Sequence, residues 1–453
     1  MNNLCGGLLD GLKAYSGGGM LPMHMPGHKR NTALLGAELP YALDITELPG
    51  FDNLHDMRGT LAETAALAAE LYGARRAFPL VNGATGGVLA AISAVCPRGG
   101  TLIMARSCHK SVYNAAELNG LDARYIPPEP DGRVTPESVE KALRENENAS
   151  LVALTSPTYD GVVSDIAAIS KITRAHGVPL FIDAAHGAHF GFSPSFPEGP
   201  AKYADVTVVS LHKTLPALTQ CALLLCNRFG EELARRLAVF ETSSPSYVLL
   251  GSIDRCARLI KSRGAALFAA YEENLSRFYG AVKPLQTLEM IRNDDPGKIV
   301  VSARRAAMTG RALFDALRNE YGVEPELFGA DYALAMTSVC DTAESFRRLS
   351  DAICALDARA KPAPPREIPP LRVPERRMPP HEAANCRGAF APLEQAVGAT
   401  SLEYVWAYPP GVPLLVPGEV IGADFLAQIR EMRACGVEPK STKNALPERI
   451  FCV

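Results

Sequence analysis

The chain has little charge bias, no cysteine pairs at metal-ligand spacing and no long apolar run, and each absence removes a class of function. With 46 basic against 49 acidic residues, the formal net charge is -3, which builds no polyelectrolyte surface for nucleic acid or an anionic membrane. A small-molecule ligand is expected instead. The 11 cysteines include no C-x-x-C pair and their number is odd. Neither a zinc site nor a disulfide framework is therefore indicated, no metal is expected, and a reducing, cytoplasmic setting fits best. No stretch of about 18 apolar residues occurs, and the N-terminus lacks a basic segment followed by an apolar one. No membrane span and no secretion signal are read from it.

A hydrophobic share of 47% and a charged share of 21% are those of an ordinary globular protein. At 453 residues the chain exceeds what one core usually organises, so a large domain, a smaller one and connecting arms are expected. Residues 1–55, broken by Gly17-Gly18-Gly19 and Met25-Pro26-Gly27-His28, read as an N-terminal arm. Residues 59–72 carry helical spacing. Apolar runs at 77–81, 101–105, 151–155, 180–183, 206–210 and 222–226 then alternate with helix-length segments such as 165–176. Continuous runs bounded by turns predict a buried, mainly parallel sheet, and so an α/β domain over 56–290. A strand, helix, strand, helix pattern over 291–361 predicts a smaller α+β domain. Residues 362–453 open with a Pro-rich crossing over 362–380, which excludes helix or central strand there, and close with a last segment.

Ligands of such sheets sit at the C-terminal ends of the strands, so the residues just beyond each run carry the functional argument. After Val81 comes Asn82-Gly83-Ala84-Thr85-Gly86-Gly87, a Gly-rich turn feeding a helix N-terminus, whose free amides suit a phosphate. After Ile182 comes Asp183, a carboxylate at the exit of a buried strand that needs a positive partner. After Val209 comes Ser210-Leu211-His212-Lys213, a lysine thirty residues beyond Asp183 and placed for partial desolvation, which favours the amine that condenses with an aldehyde. Each place alone has a plain structural explanation: a tight turn, a helix cap, a surface lysine. Together they point to pyridoxal 5'-phosphate (PLP), with its phosphate at the turn, its ring nitrogen at Asp183 and its aldehyde carbon at Lys213.

Stretches along nearly the whole chain carry a further signal. They are Met25-Pro26-Gly27-His28-Lys29, Asp44-Ile45-Thr46-Glu47-Leu48, Val81-Asn82-Gly83-Ala84-Thr85, His109-Lys110-Ser111-Val112 and Ser156-Pro157-Thr158-Tyr159-Asp160-Gly161. Asp183-Ala184-Ala185-His186-Gly187-Ala188-His189, Ser210 to Ala217, Ser243-Ser244-Pro245-Ser246-Tyr247 and Tyr408-Pro409-Pro410-Gly411-Val412-Pro413 complete the set. In these the sequence resembles the bacterial PLP-dependent ornithine/lysine/arginine decarboxylases, which have the PLP-dependent transferase fold of type I, and among them the shorter members without an N-terminal wing domain. The resemblance implies that Lys213 is the Schiff-base lysine, that Asp183 binds the pyridine nitrogen, and that His109 stacks on one ring face with Ala185 on the other. It also implies that Ala84, Thr85, Ser210 and His212 hold the phosphate, with His186 in the cofactor site and Ser243 or Ser244 reaching in from a neighbouring subunit. A homodimer or larger homo-oligomer follows from that sharing.

Three departures stand out: Ala84 where a Ser is common, Ala184 where a Glu is usual, and Phe51-Asp52-Asn53-Leu54-His55 in place of an acidic pair. The first removes one hydroxyl contact to the phosphate while the backbone amides remain, and the other two bear on substrate choice more than on the cofactor. The expected reaction is decarboxylation of arginine, lysine or ornithine to agmatine or a diamine. Asp44, Glu47, Asp52, Asp160 and Glu419 are the acids available to a basic side chain. The competing readings are an aminotransferase, lyase or aldolase on the same fold, or a silent regulatory homologue. An aminotransferase needs an arginine clamp, for which Arg255, Arg258, Arg292, Arg304 and Arg305 are candidates.

Overall fold

The computed structural model of the protein describes residues 21–23, 34, 52–365, 373–407 and 411–453. Most of the arm, including Met25 to Lys29, Asp44 and Glu47, lies outside the described residues, as do Tyr408 to Pro410.

Helix α1 (Thr60–Tyr72) stops at Gly73, whose φ of 65° is open to glycine at low cost. From there the chain alternates strands and helices: β1 (Arg76–Leu80), α2 (Gly83–Val95), β2 (Thr101–Ala105), α3 (Lys110–Leu118), β3 (Asp122–Ile126) and β4 (Ala149–Thr155). It continues with α4 (Ile166–Ala175), β5 (Leu180–Asp183), β6 (Val206–Ser210), the single turn α5 (Leu211–Thr214) and β7 (Ala222–Cys226). The seven strands form one sheet in the order β1-β7-β6-β5-β4-β2-β3. Only β7 runs against its neighbours; the remaining pairings are parallel. Every residue of β2, β6 and β7 is buried, as strands covered by helices on both faces must be. The mainly parallel α/β class predicted from the apolar runs is the class observed.

Helix α6 (Tyr247–Ala281) follows, 35 residues long. Its buried residues Ile253, Cys256, Ile260, Gly264, Phe268, Tyr271, Leu275 and Phe278 step by three or four and so make one continuous stripe. Beyond it, β8 (Glu289–Ile291), β9 (Lys298–Ser302), β10 (Leu327–Phe328) and β11 (Tyr332–Met336) form an antiparallel sheet in the order β10-β11-β9-β8. Helices α7 (Gly310–Tyr321) and α8 (Ala343–Arg359) accompany it. Tyr271 and Phe278 of α6 pack on Phe346 of α8, and Ile299, Val301, Leu313 and Leu349 belong to the same apolar core as the large sheet. A second core gathers Leu393, Val405, Leu415, Ile421, Phe425 and Ile450 of the C-terminal segment.

That segment is fastened to the large sheet through Arg106. Its guanidinium donates to the carbonyls of Pro413 and Leu414 at 2.6 and 3.2 Å and meets Glu419 Oε2 at 3.0 Å, with both side chains at most 1% exposed. Among the described residues, no helix is long and apolar enough to cross a membrane.

Candidate active site

Strand register brings the predicted residues to one edge of the large sheet. Asp183 lies opposite Val208 on β6 and Thr155 on β4. Ser210 at the end of β6 and Leu80 at the end of β1 both lie opposite Ala222. The Gly-rich turn is therefore two strand spacings, roughly 10 Å, from Ser210. Since β1, β2, β5 and β6 run in the same direction, Asn82, His109, Asp183 and Lys213 all follow C-terminal strand ends, where ligands of such sheets bind.

The turn after β1 has the form an anion needs. Gly83 has a φ of +71° and opens α2, so the amides of Gly83, Ala84 and Thr85 are first-turn donors without helical acceptors. Ala84 is half-buried and Thr85 exposed. Glu241 closes the inner side of the turn: its Oε2 accepts from the Val81 amide at 3.1 Å, while Oε1 is buried with no hydrogen-bond partner. Burial pushes this carboxyl up to about 7.

Asp183 is buried, and its Oδ1 accepts from the Ala185 amide at 3.1 Å. Burial raises its pKa, opposed by the charge of Lys213 and by that amide. Ala185 is itself buried beside it. Lys213 stands on α5 with its Nζ 2.9 Å from His186 Nε2. Desolvation lowers its pKa, against the carboxylates of Asp183 and Glu326. His109 caps α3, its Nδ1 accepting from the Ser111 amide at 3.2 Å, so its remaining proton in the neutral form is on Nε2. Burial first, then Lys213 and Lys110, push it down to about 4. Ser210 is buried. The ring of His212 places Nδ1 3.0 Å from the carbonyl of Cys221, which requires a proton there; Nε2 donates to a phosphate only when this histidine is charged.

Ser243 and Ser244 are not brought to this group within the chain. They are exposed on the loop ahead of α6, where the Ser244 amide donates to Thr242 Oγ1.

Three contributors were not assigned from sequence. The other ring nitrogen of His186, Nδ1, is 2.9 Å from Nζ of Lys298, a lysine only 1% exposed. The Tyr159 ring lies 4.1 Å from the His186 ring and under both lysine heads, at 5.9 Å from Lys213 Nζ and 5.8 Å from Lys298 Nζ. Its hydroxyl donates to Glu326. Tyr159 stood in a family-like stretch, but Lys298 and Glu326 had only the signal of charged residues bordering apolar strands.

The geometry also ranks the acids and arginines. Asp52 is occupied by the amides of Asn53, Arg58, Gly59 and Leu61. Glu419 is held by Arg106. Asp160 accepts from Thr158, and Arg258 and Arg305 are in surface pairs with Asp254 and Glu289.

These residues fit PLP. The buried Asp183 carboxylate calls for a cationic partner such as a protonated ring nitrogen, the α2 amides offer an anion seat, and half-buried Lys213, whose pKa desolvation lowers, follows the strand that lies between them.

The chain matches the family described as Orn/Lys/Arg decarboxylase, major domain, over residues 7–303, and its C-terminal domain over residues 371–436. It is similar to an arginine decarboxylase of Bacillus anthracis, 29% identical over 95% of this chain and 93% of that one. Its fold is that of a solved lysine decarboxylase of Francisella novicida (TM-score 0.74, 16% identity, 89% of this chain and 73% of that chain). It also resembles an alanine–glyoxylate aminotransferase of Nostoc sp. (TM-score 0.55, 16% identity, 65% and 85%).

Proposed function

This chain belongs to the Orn/Lys/Arg decarboxylase family, and from that premise we propose that it releases CO2 from arginine, lysine or ornithine, leaving agmatine or a diamine, with PLP held at Lys213. The observation that carries the reading is the pairing of a desolvated Lys213 amine, 2.9 Å from His186, with the buried carboxylate of Asp183 one strand away.

When bound, PLP supplies an electron sink for the pair left at Cα as the carboxylate departs. Asp183 would hold the ring nitrogen and keep it protonated, since a buried carboxylate gains most from a cation at that point. Lys213 would contribute the amine that holds the cofactor and could serve as a proton carrier for the reacting carbon. His109, held by its cap to Ser111, would lie on one ring face and Ala185 on the other. The amides of Gly83, Ala84 and Thr85 would receive the phosphate together with Ser210 and His212. Ser243 and Ser244, exposed on one chain, would complete that seat in a second copy, so the working unit is a homodimer or larger.

The test is to incubate the purified, PLP-supplemented enzyme separately with L-arginine, L-lysine and L-ornithine and to measure CO2 and the amine formed. Stoichiometric CO2 and agmatine or diamine from one of them supports the reading, with arginine first because of the relative's name. Formation of a keto acid without CO2 would replace it with an aminotransferase.

A further inference from the structure

We propose that Lys298 is a positioning residue: through His186 it fixes where the imidazole proton sits and thereby presents Lys213 as a free amine. This deepens the function proposed above and rests on Lys213 being the condensing amine.

The argument starts from hydrogen-bond arithmetic. A neutral imidazole has one N–H donor and one bare acceptor, whereas an ammonium can only donate. His186 is buried and has a lysine nitrogen at 2.9 Å from each ring nitrogen, Lys298 on Nδ1 and Lys213 on Nε2. Two ammonium groups would need two bare nitrogens, which a neutral ring lacks. A doubly protonated ring would satisfy two amines, but burial and the two lysines push the His186 pKa well down. A neutral ring therefore accommodates at most one ammonium, so at least one of the two lysines meets it as an amine.

The surroundings assign the charge to Lys298. Asp295 is fully buried, and its carboxyl is held low by His189, by Lys298 and by the Gly297 amide despite its burial. Such an anion favours a cation at Lys298. The Lys298 stem is fixed as well: Gly161, with a φ of +98°, leaves no room for a Cβ, which would lie 2.9 Å from Lys298 Cγ. Lys298 therefore donates to Nδ1, the ring proton resides on Nε2, and Nε2–H donates to the lone pair of Lys213. Facing Lys213 are Asp183 and Glu326, which favour its charge, and the histidines His109 and His186, with Tyr159 between the two lysines. In this proposal the charge of Lys298, reaching Lys213 through His186, opposes that of the two carboxylates.

The test uses the apoprotein. Lys213 acylation by acetic anhydride is followed by peptide mass spectrometry across pH in wild type, Lys298→Met and Lys298→Arg, with circular dichroism melting as the folding control. In Lys298→Met the pH of half-labelling should rise by about one unit, so that Lys213 labels about tenfold more slowly near neutrality. Lys298→Arg, which keeps a donor cation, should label like wild type. A folded Lys298→Met with an unchanged Lys213 profile overturns the proposal, because it leaves Lys298 a merely structural role. If Lys298→Met does not fold, 15N spectra of the wild-type histidine rings decide, with the His186 signal identified by its loss in His186→Gln. A proton on Nε2 supports the proposal and a proton on Nδ1 overturns it. Borohydride trapping of PLP on wild-type Lys213 separately tests the reading on which it rests.

Discussion

Asp183 is the residue whose charge state has the most direct consequence for the proposed chemistry. Its carboxyl is raised by burial, opposed by the field of Lys213 and by the Ala185 amide. A protonated pyridine nitrogen reverses that balance, so Asp183→Asn should bind PLP yet lose roughly 10²–10³ in kcat as the electron sink weakens; parallel absorbance titration of PLP and steady-state CO2 release would check both halves. Asp183 and Lys213 were legible in sequence because one ends an apolar run and the other stands three residues beyond one, and the side on which a chain leaves a buried strand is fixed by the fold. Lys298 was not. It opens a strand as a surface lysine would, and what makes it part of the site is His186, 112 residues away, a separation that no local pattern records.

At the scale of elements, the junction of β1, α2 and β6 is where the Gly-rich turn packs most closely on the sheet. A Cβ at Gly87 would lie 2.6 Å from Leu80 Cδ1 and 3.0 Å from Val208 Cγ2, both in the core. Gly87→Ala should therefore cost about 1–3 kcal/mol of stability, read from chemical denaturation, and weaken PLP binding in the same variant. Glu241 gives this junction a pH dependence. Burial pushes its carboxyl up to about 7 in the fold, from the ordinary 4.5. The folded state thus binds a proton that the unfolded state has released, and stability is lost as pH rises through that window. Glu241→Gln should melt higher than wild type at pH 8 and differ little at pH 5, measured by calorimetry; a difference that is the same at both values would mean that Glu241 does not titrate there. The alternation of strands and helices was readable because β2, β6 and β7 are buried end to end. Strand β3 escaped because its pattern, Asp122-Ala123-Arg124-Tyr125-Ile126, is that of an edge with exposed charge rather than a continuous run.

For the whole molecule, the C-terminal segment bears on the active site through the loop that follows β2. Arg106 follows β2 three residues before His109 and grips Pro413, Leu414 and Glu419, and the Lys110 amide donates to the Gly411 carbonyl at 3.3 Å. The segment's second core is thereby tied to the loop that presents His109. Removing one member of a buried pair leaves the other charge uncompensated, so Glu419→Leu should cost about 3–5 kcal/mol and open the C-terminal segment to limited proteolysis before the large sheet. Two lysines flank His186, and in the proposed enzyme Lys213 holds PLP with Lys298 as its charged neighbour rather than its rival. Borohydride reduction of the PLP-loaded protein, followed by peptide mass spectrometry, tests it directly. The account predicts a single reduced pyridoxyl adduct on the peptide carrying Lys213; an adduct on Lys298, or none at either lysine, would contradict it.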